Sequence, residues 1–193
     1  MNDSTLTPAR PPAVAVVYES LFGSTRSVAE SLTEGIREQL LATVTPISLA
    51  SPSADCDILV VGAPTHAHSL STPASRAEAE RWARDRARHL TLDDSPHTTG
   101  MREWLERRPT ARLGYVAFDT RVDMPRIFTG SAATAIGRRL KKYGLREILA
   151  PESFLVDSHS RLLSTERDRA VRWGREIAEA ALALTDETAR IPR

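Results

Sequence analysis

The stretch AVAVVYESLFGSTRSVAESL, residues 13–32, decides the fold. It opens with a continuous apolar run from Ala13 to Tyr18, which is typical of a strand covered on both faces. From Ser24 onwards the apolar residues recur at every fourth position, which predicts an amphipathic helix. The short loop between Glu19 and Thr25 therefore connects a buried strand to a helix start, where unpaired N–H groups and the helix dipole favour an anion.

Strand and helix patterns alternate along the rest of the chain. Further strands are predicted at residues 43–49, 57–64, 111–118 and 153–156. Helices are predicted at residues 101–108 and 131–143, and two more are predicted to begin at the Thr72-Pro73 pair and near Ser164. This alternation predicts parallel strands, right-handed crossovers and a three-layer α/β/α sandwich. We expect one domain over residues 13–186, with tails at 1–12 and 187–193. In such folds ligands bind at the carboxyl ends of the strands.

The loop after the first strand carries hydroxyl groups and a glycine. Ser20, Ser24 and Thr25 provide the hydroxyls, and Gly23 allows a turn that a Cβ would hinder. Capping of the helix by Ser or Thr explains the same residues equally well. The position of the loop on the first strand of a parallel sheet favours a phosphate site.

The segment SLFGST, residues 20–25, resembles the phosphate loop of the flavodoxin family, whose pattern is T/S-x-T-G-x-T. Ser20, Gly23 and Thr25 match this pattern, and Ser24 occupies its variable position. Phe22 stands where the family has a hydroxyl. The resemblance extends over the ordered chain in element order. It implies a five-stranded parallel sheet of order 2-1-3-4-5 that binds FMN, with the phosphate at residues 20–25.

The loop after the third strand resembles the segment that lines the flavin ring in this family. Pro64, Thr65, His66 and His68 match its position, as do Ala63 and Ala67. The resemblance implies that a histidine stacks on the ring where flavodoxins commonly have a tryptophan. Two alternatives stay open, namely that the histidines are exposed loop residues or that His66-x-His68 binds a metal.

The loop after the fourth strand, residues 118–130, resembles the segment that binds the pyrimidine edge of the flavin. Asp119, Thr120 and Arg121 match that position. The resemblance implies that Thr120 hydrogen-bonds the ring and that Arg121 stabilises negative charge on it. An ion pair or a helix cap formed by Asp119 and Arg121 is the structural alternative.

The resemblance implies an FMN-binding protein in electron transfer or flavin-dependent redox chemistry. Its partner is then either a redox protein or NAD(P)H with a small-molecule acceptor. One alternative is an NAD(P)H-dependent quinone reductase, and another is a flavin-free binding or assembly module. An electron carrier of the flavodoxin type further predicts an acidic patch around the flavin edge. A homodimer stays open.

Composition excludes several other classes. The 26 Lys and Arg residues almost balance 25 Asp and Glu, so the charge does not indicate nucleic acid or an anionic membrane as partner. No apolar stretch approaches the roughly 18 residues that a membrane span needs. The single cysteine, Cys56, is expected to be a buried core residue, and with no signal-peptide pattern it favours a cytoplasmic protein.

Overall fold

The computed structural model describes residues 10–53, 55–66, 68–93 and 99–190. Its centre is a sheet of five parallel strands in the order β2-β1-β3-β4-β5. This is the predicted flavodoxin-like topology. The strands are β1 (Val14–Tyr18), β2 (Ala42–Pro46), β3 (Ile58–Pro64), β4 (Gly114–Val122) and β5 (Glu152–Val156).

Six α-helices accompany these strands in the described part of the chain. They are α1 (Ser24–Arg37), α2 (Pro73–Arg84), α3 (Met101–Glu106), α4 (Arg126–Thr129), α5 (Ala132–Lys142) and α6 (Glu166–Arg190), with a 3₁₀ turn at Arg86–Arg88. Thr72 caps α2 by accepting from the Ser75 amide at 3.2 Å, as the Thr-Pro pair predicts. No helix among the described residues is long and apolar enough to cross a membrane.

Alternate residues of the buried strands face two separate cores. Val16 and its neighbours on one face pack with α1 and α6, while Val17 and its neighbours on the other pack with α3 and α5. Trp104 and Leu105 of α3 are fully buried. Because both faces are covered, the central strands are continuous apolar runs rather than alternating ones.

The structure corrects the predicted element boundaries in three places. β4 continues to Val122, and α4 follows it, so residues 118–130 are not a single irregular loop. β2 ends at Pro46, before the predicted end at residue 49, because Leu49 already belongs to a turn and is 75% exposed. α3 ends at Glu106 rather than at residue 108. The sequence pattern did not predict these boundaries, because residues at sheet edges and in loops bury too little surface to produce a regular spacing of apolar residues.

Two glycines let α1 and α6 pack backbone to backbone. A Cβ built on Gly35 would lie 2.1 Å from the Val171 carbonyl oxygen, and one on Gly174 would lie 2.1 Å from that of Leu32. The two helices must therefore separate to accept any side chain at either position.

Replacing Gly174 with alanine should lower the free energy of unfolding by about 1 to 3 kcal/mol because of this overlap. The loss should persist although alanine favours a helix by about 1 kcal/mol. Gly137→Ala in α5 is the matched control, since its nearest contact would be the Tyr115 hydroxyl at 3.2 Å. Equal stability changes for the two variants in chemical denaturation would contradict this account of the helix contact.

Candidate functional site

The loop between β1 and α1 leaves the start of the helix uncapped. Gly23 adopts a left-handed φ of 87°, and no side chain caps α1. The Gly23 amide instead donates to Ser20 Oγ at 3.1 Å, which stabilises the turn itself. The first-turn amides of α1 are thus left for water or for a ligand, and an anion suits them because of the helix dipole.

Hydroxyl groups of this loop connect it to neighbouring elements. Ser24 Oγ donates to the Ser160 carbonyl at 2.5 Å, and Thr25 Oγ1 lies 2.7 Å from Thr120 Oγ1 on β4. Only one O–H of the threonine pair is used between the two residues, so the other remains available as a donor. The resemblance assigned Ser24 and Thr25 to the phosphate and Thr120 to the ring, whereas in the structure these hydroxyls hold the loop in place.

A cavity of about 270 Å³ opens beside this loop at the carboxyl edge of the sheet. Of the residues that sequence reasoning assigned to a flavin, those lining it are Phe22, Ser24, Thr25, Pro64, Thr65, His66, Thr120 and Arg121. The other assigned residues, Ser20, Gly23, His68 and Asp119, are not part of its lining. The three predicted loops therefore converge on one cavity, with hydroxyl groups and an uncapped helix start at one part of its wall.

Asp119 has a structural role next to the cavity. Its side chain is buried, and Oδ2 accepts hydrogen bonds from Ser131 Oγ at 2.6 Å and from the Ala133 amide at 2.9 Å. Asp119 therefore caps the start of α5, which is the structural alternative that the sequence left open. Thr65 assists, because its Oγ1 accepts from the Ala132 amide at 2.9 Å.

The two histidines differ in position. The His66 backbone pairs with Ser69 in a tight reversal, and its ring lies on the cavity wall. His68 is exposed with a left-handed φ of 71°, and the intervening Ala67 lies outside the described residues. Among the residues that the structure describes, no three or more His, Cys, Asp or Glu side chains form a group that could hold a metal ion.

Sequence reasoning missed a second wall of the cavity. This wall comes from the β3–α3 connection, residues 65–100, which includes α2. Trp82 lines the cavity, with the Arg88 guanidinium 5.0 Å from its ring centroid and the His66 ring 6.2 Å away. The other cavity residues that it missed are Leu21, Leu90, Val122, Val156, Ser158 and Ser160. In the sequence, the feature that could have indicated this wall was a single tryptophan on an otherwise Arg-rich, exposed helix.

Buried polar contacts attach the β3–α3 connection to the β1–α1 loop. The Asp93 amide donates to the Leu21 carbonyl at 2.8 Å, and the Asp93 carboxylate pairs with Arg26 at 3.2 Å. Glu19 accepts from Ser71 Oγ at 2.5 Å and from the Met101 amide at 2.7 Å. The cavity therefore has two walls that are held at a defined separation.

Glu19 is a buried carboxylate in this arrangement. Burial raises its pKa, although Ser71, the Met101 amide and the nearby Arg76 act in the opposite direction. The charge of Arg76, itself buried, is also shared with Glu103 at 3.2 Å. Glu19 therefore stabilises the contact between the β1–α1 loop and α3, and it does not line the cavity.

Cys56 lies just before β3, at the amino ends of the strands and thus at the end of the sheet opposite the cavity. It is buried, and burial together with Asp57 and Asp55 raises the pKa of its thiol to about 11. The thiol is therefore protonated at neutral pH and is a poor nucleophile. This agrees with the expected role of Cys56 as a core residue.

Comparison with solved structures shows the fold of this chain to be flavodoxin-like. A flavodoxin from the domain Archaea superposes with a TM-score of 0.58 at 16% identity, covering 88% of this chain and 99% of that one. A flavodoxin from Streptococcus pneumoniae TIGR4 gives 0.55 at 17% identity, over 89% and 98% of the two chains. A flavodoxin, WrbA-like protein from Agrobacterium tumefaciens gives 0.51 at 15% identity, over 89% and 98%.

Sequence comparison adds nothing to this assignment, since no family model and no curated protein matches the chain.

Stability should depend on the protonation of Glu19. Because its pKa is raised in the folded state, the contribution of Glu19 to stability is fully present below the usual Glu pKa, 4.5, and is lost as pH rises from there through the raised value. Glu19→Gln keeps an acceptor for the Met101 amide but removes the titration. In denaturation series at several pH values, the stability of the variant relative to the natural chain should therefore increase with pH. A difference that is constant or decreases would contradict the raised pKa.

Proposed function

We propose that this protein binds FMN in the carboxyl-edge cavity and carries out flavin-dependent redox chemistry. The observation that carries the proposal is the uncapped start of α1, next to the hydroxyl groups of Thr25 and Thr120 on the wall of the same cavity. This donor set fits a phosphate monoester, which needs N–H and O–H donors and no metal. When bound, FMN would supply the electron-accepting and electron-donating chemistry.

The residues of this chain would bind and orient the flavin. The first-turn amides of α1 and the free O–H of the Thr25–Thr120 pair would hold the phosphate. The ring would lie between the ends of β3 and β4, where Pro64, His66 and Arg121 line the cavity. The Arg121 guanidinium, whose Nη1 donates to the Met124 carbonyl at 2.6 Å, would place positive charge beside the ring and favour its reduced, anionic form.

Trp82 supplies an aromatic surface on the cavity wall opposite the β1–α1 loop, in addition to Phe22 of that loop. The resemblance assigned stacking to a histidine, but in the structure an indole contacts His66 at the wall of the same cavity. An aromatic pair of this kind contributes about 0.5 to 1.5 kcal/mol beyond its area. We therefore assign ring contact to Trp82 together with His66.

The charge at the cavity mouth favours a reductase over a flavodoxin-type carrier. Arg121 and Arg126 contact no carboxylate among the described residues, whereas Arg161 is paired with Asp157 at 2.8 Å. This is not the acidic patch that a carrier of the flavodoxin type predicts. An anionic reductant such as NAD(P)H suits an edge whose guanidinium groups are not neutralised by carboxylates. An NAD(P)H-dependent FMN reductase is therefore our second candidate function.

Phosphate recognition at α1 gives the first test. FMN should bind with the spectrum of a protein-bound flavin, and Thr25→Val should weaken its affinity by about 1 to 3 kcal/mol in calorimetry because an O–H donor is lost. Thr33→Val is the matched control, since Thr33 is a buried threonine of the same helix whose hydroxyl donates to Ala29 instead. Protein that stays colourless and gives no heat with FMN would contradict the proposal and favour a flavin-free binding module.

Ring contact gives the second test. Trp82→Ala should weaken FMN binding by about threefold to tenfold and increase the fluorescence of the bound flavin, because stacking on an indole quenches it. Trp82→Phe should retain most of the affinity. If both variants bind FMN as the natural chain does, with the same flavin fluorescence, the ring does not lie against Trp82.

A further inference from the structure

Exposed apolar side chains are concentrated at one side of the cavity mouth. Of the six large hydrophobic residues that are exposed in the described part of the chain, four lie within one short segment. They are Val122 (41% exposed), Met124 (50%), Ile127 (82%) and Phe128 (64%). A cluster of this kind in a segment of seven residues is typical of an interaction surface rather than of scattered surface hydrophobes. We call residues 122–128 the apolar flange.

Hydrogen bonds hold the apolar flange in one shape. The Asp123 amide donates to the Val156 carbonyl at 3.0 Å, and the Arg121 guanidinium donates to the Met124 carbonyl at 2.6 Å. Arg126 donates to Thr134 Oγ1 at 2.6 Å, and the Gly130 amide closes the short helix onto the Arg126 carbonyl at 2.8 Å. Little conformational entropy would thus be lost when this surface binds a partner.

The charges beside the flange define the partner that it fits. Arg121 and Arg126 flank the apolar side chains, and neither contacts a carboxylate among the described residues. Asp123 is the one acidic residue of the segment. A partner that presents carboxylates around an apolar centre would therefore gain both contacts.

A second copy of the chain fits this surface poorly. A two-fold interface would place the same patch against itself, so that two segments would meet, each with Arg121 and Arg126 against the single acid Asp123. The excess of like charge in such an interface costs free energy. The charge thus favours a different protein over self-association.

We propose that the apolar flange, with Arg121 and Arg126, is a docking surface for an acidic protein whose contact face has an apolar centre. Val122 belongs to both the flange and the cavity wall, so the partner would dock at the cavity mouth. If FMN is bound as proposed above, this position would bring the partner close to the flavin. The docking surface itself does not depend on the flavin.

Chemical-shift mapping on the ¹⁵N-labelled protein tests the proposal, because it detects weak complexes and needs no flavin. The soluble domain of cytochrome b5, with carboxylates around an exposed haem edge, is the acidic probe, and cytochrome c is the basic control. The acidic probe should shift amides within residues 121–130, and the shifts should vanish when salt rises from about 20 to about 300 mM. Cytochrome c should leave these amides unchanged.

Substitutions distinguish binding at this surface from nonspecific association. Arg126→Glu and Ile127→Ser should each reduce the shifts at a given probe concentration by about threefold or more. Leu41→Ser is the matched control, because Leu41 is 80% exposed but precedes β2 at the other edge of the sheet, and it should change nothing. Shifts that are absent, that lie elsewhere or that are equal with cytochrome c would overturn the proposal. So would concentration-dependent shifts of the same amides without a probe, which would assign the flange to a second copy.

Discussion

The parallel pairing of β1, β3 and β4 is the constraint on which the rest of the structure depends. Tyr18 pairs with Gly62, and Gly62 pairs with Phe118, so the three strands run in register towards the same edge. A Cβ on Gly62 would lie 2.0 Å from the Phe118 ring, so the glycine allows the close packing at the centre of the sheet. Because the loops that follow these strands leave from one edge, hydroxyl groups from β1–α1 and from β4 meet there.

The second wall of the cavity depends on polar groups that are expensive to bury. Glu19, Arg76 and Asp93 are all buried, and each is paired or hydrogen-bonded at the junction between the β1–α1 loop and the β3–α3 connection. Removing one partner of such a group leaves an uncompensated charge, which costs more than the pair contributes. The junction therefore resists opening, and it keeps Trp82 and Arg88 opposite the hydroxyl-rich wall.

The sequence predicted those features that produce a regular spacing of apolar residues or that require a characteristic turn or capping residue. Buried strands, the amphipathic α1, the Thr-Pro start of α2 and the convergence of three loops all follow from local patterns. The second wall could not be predicted, because Trp82 reaches the cavity through contacts between elements that are distant in the chain. Asp119 shows the same limit: its position at a strand end suited a ligand, but its partner proved to be the start of α5.

The phosphate of FMN should bind at the start of α1, and ³¹P NMR reports on that phosphate itself. Free FMN changes its phosphorus shift near pH 6 as the phosphate loses its second proton. Bound FMN should give a separate resonance that stays at one position across that pH range, because helix amides stabilise the dianion. A single resonance that titrates as free FMN does, in the presence of excess protein, would contradict it.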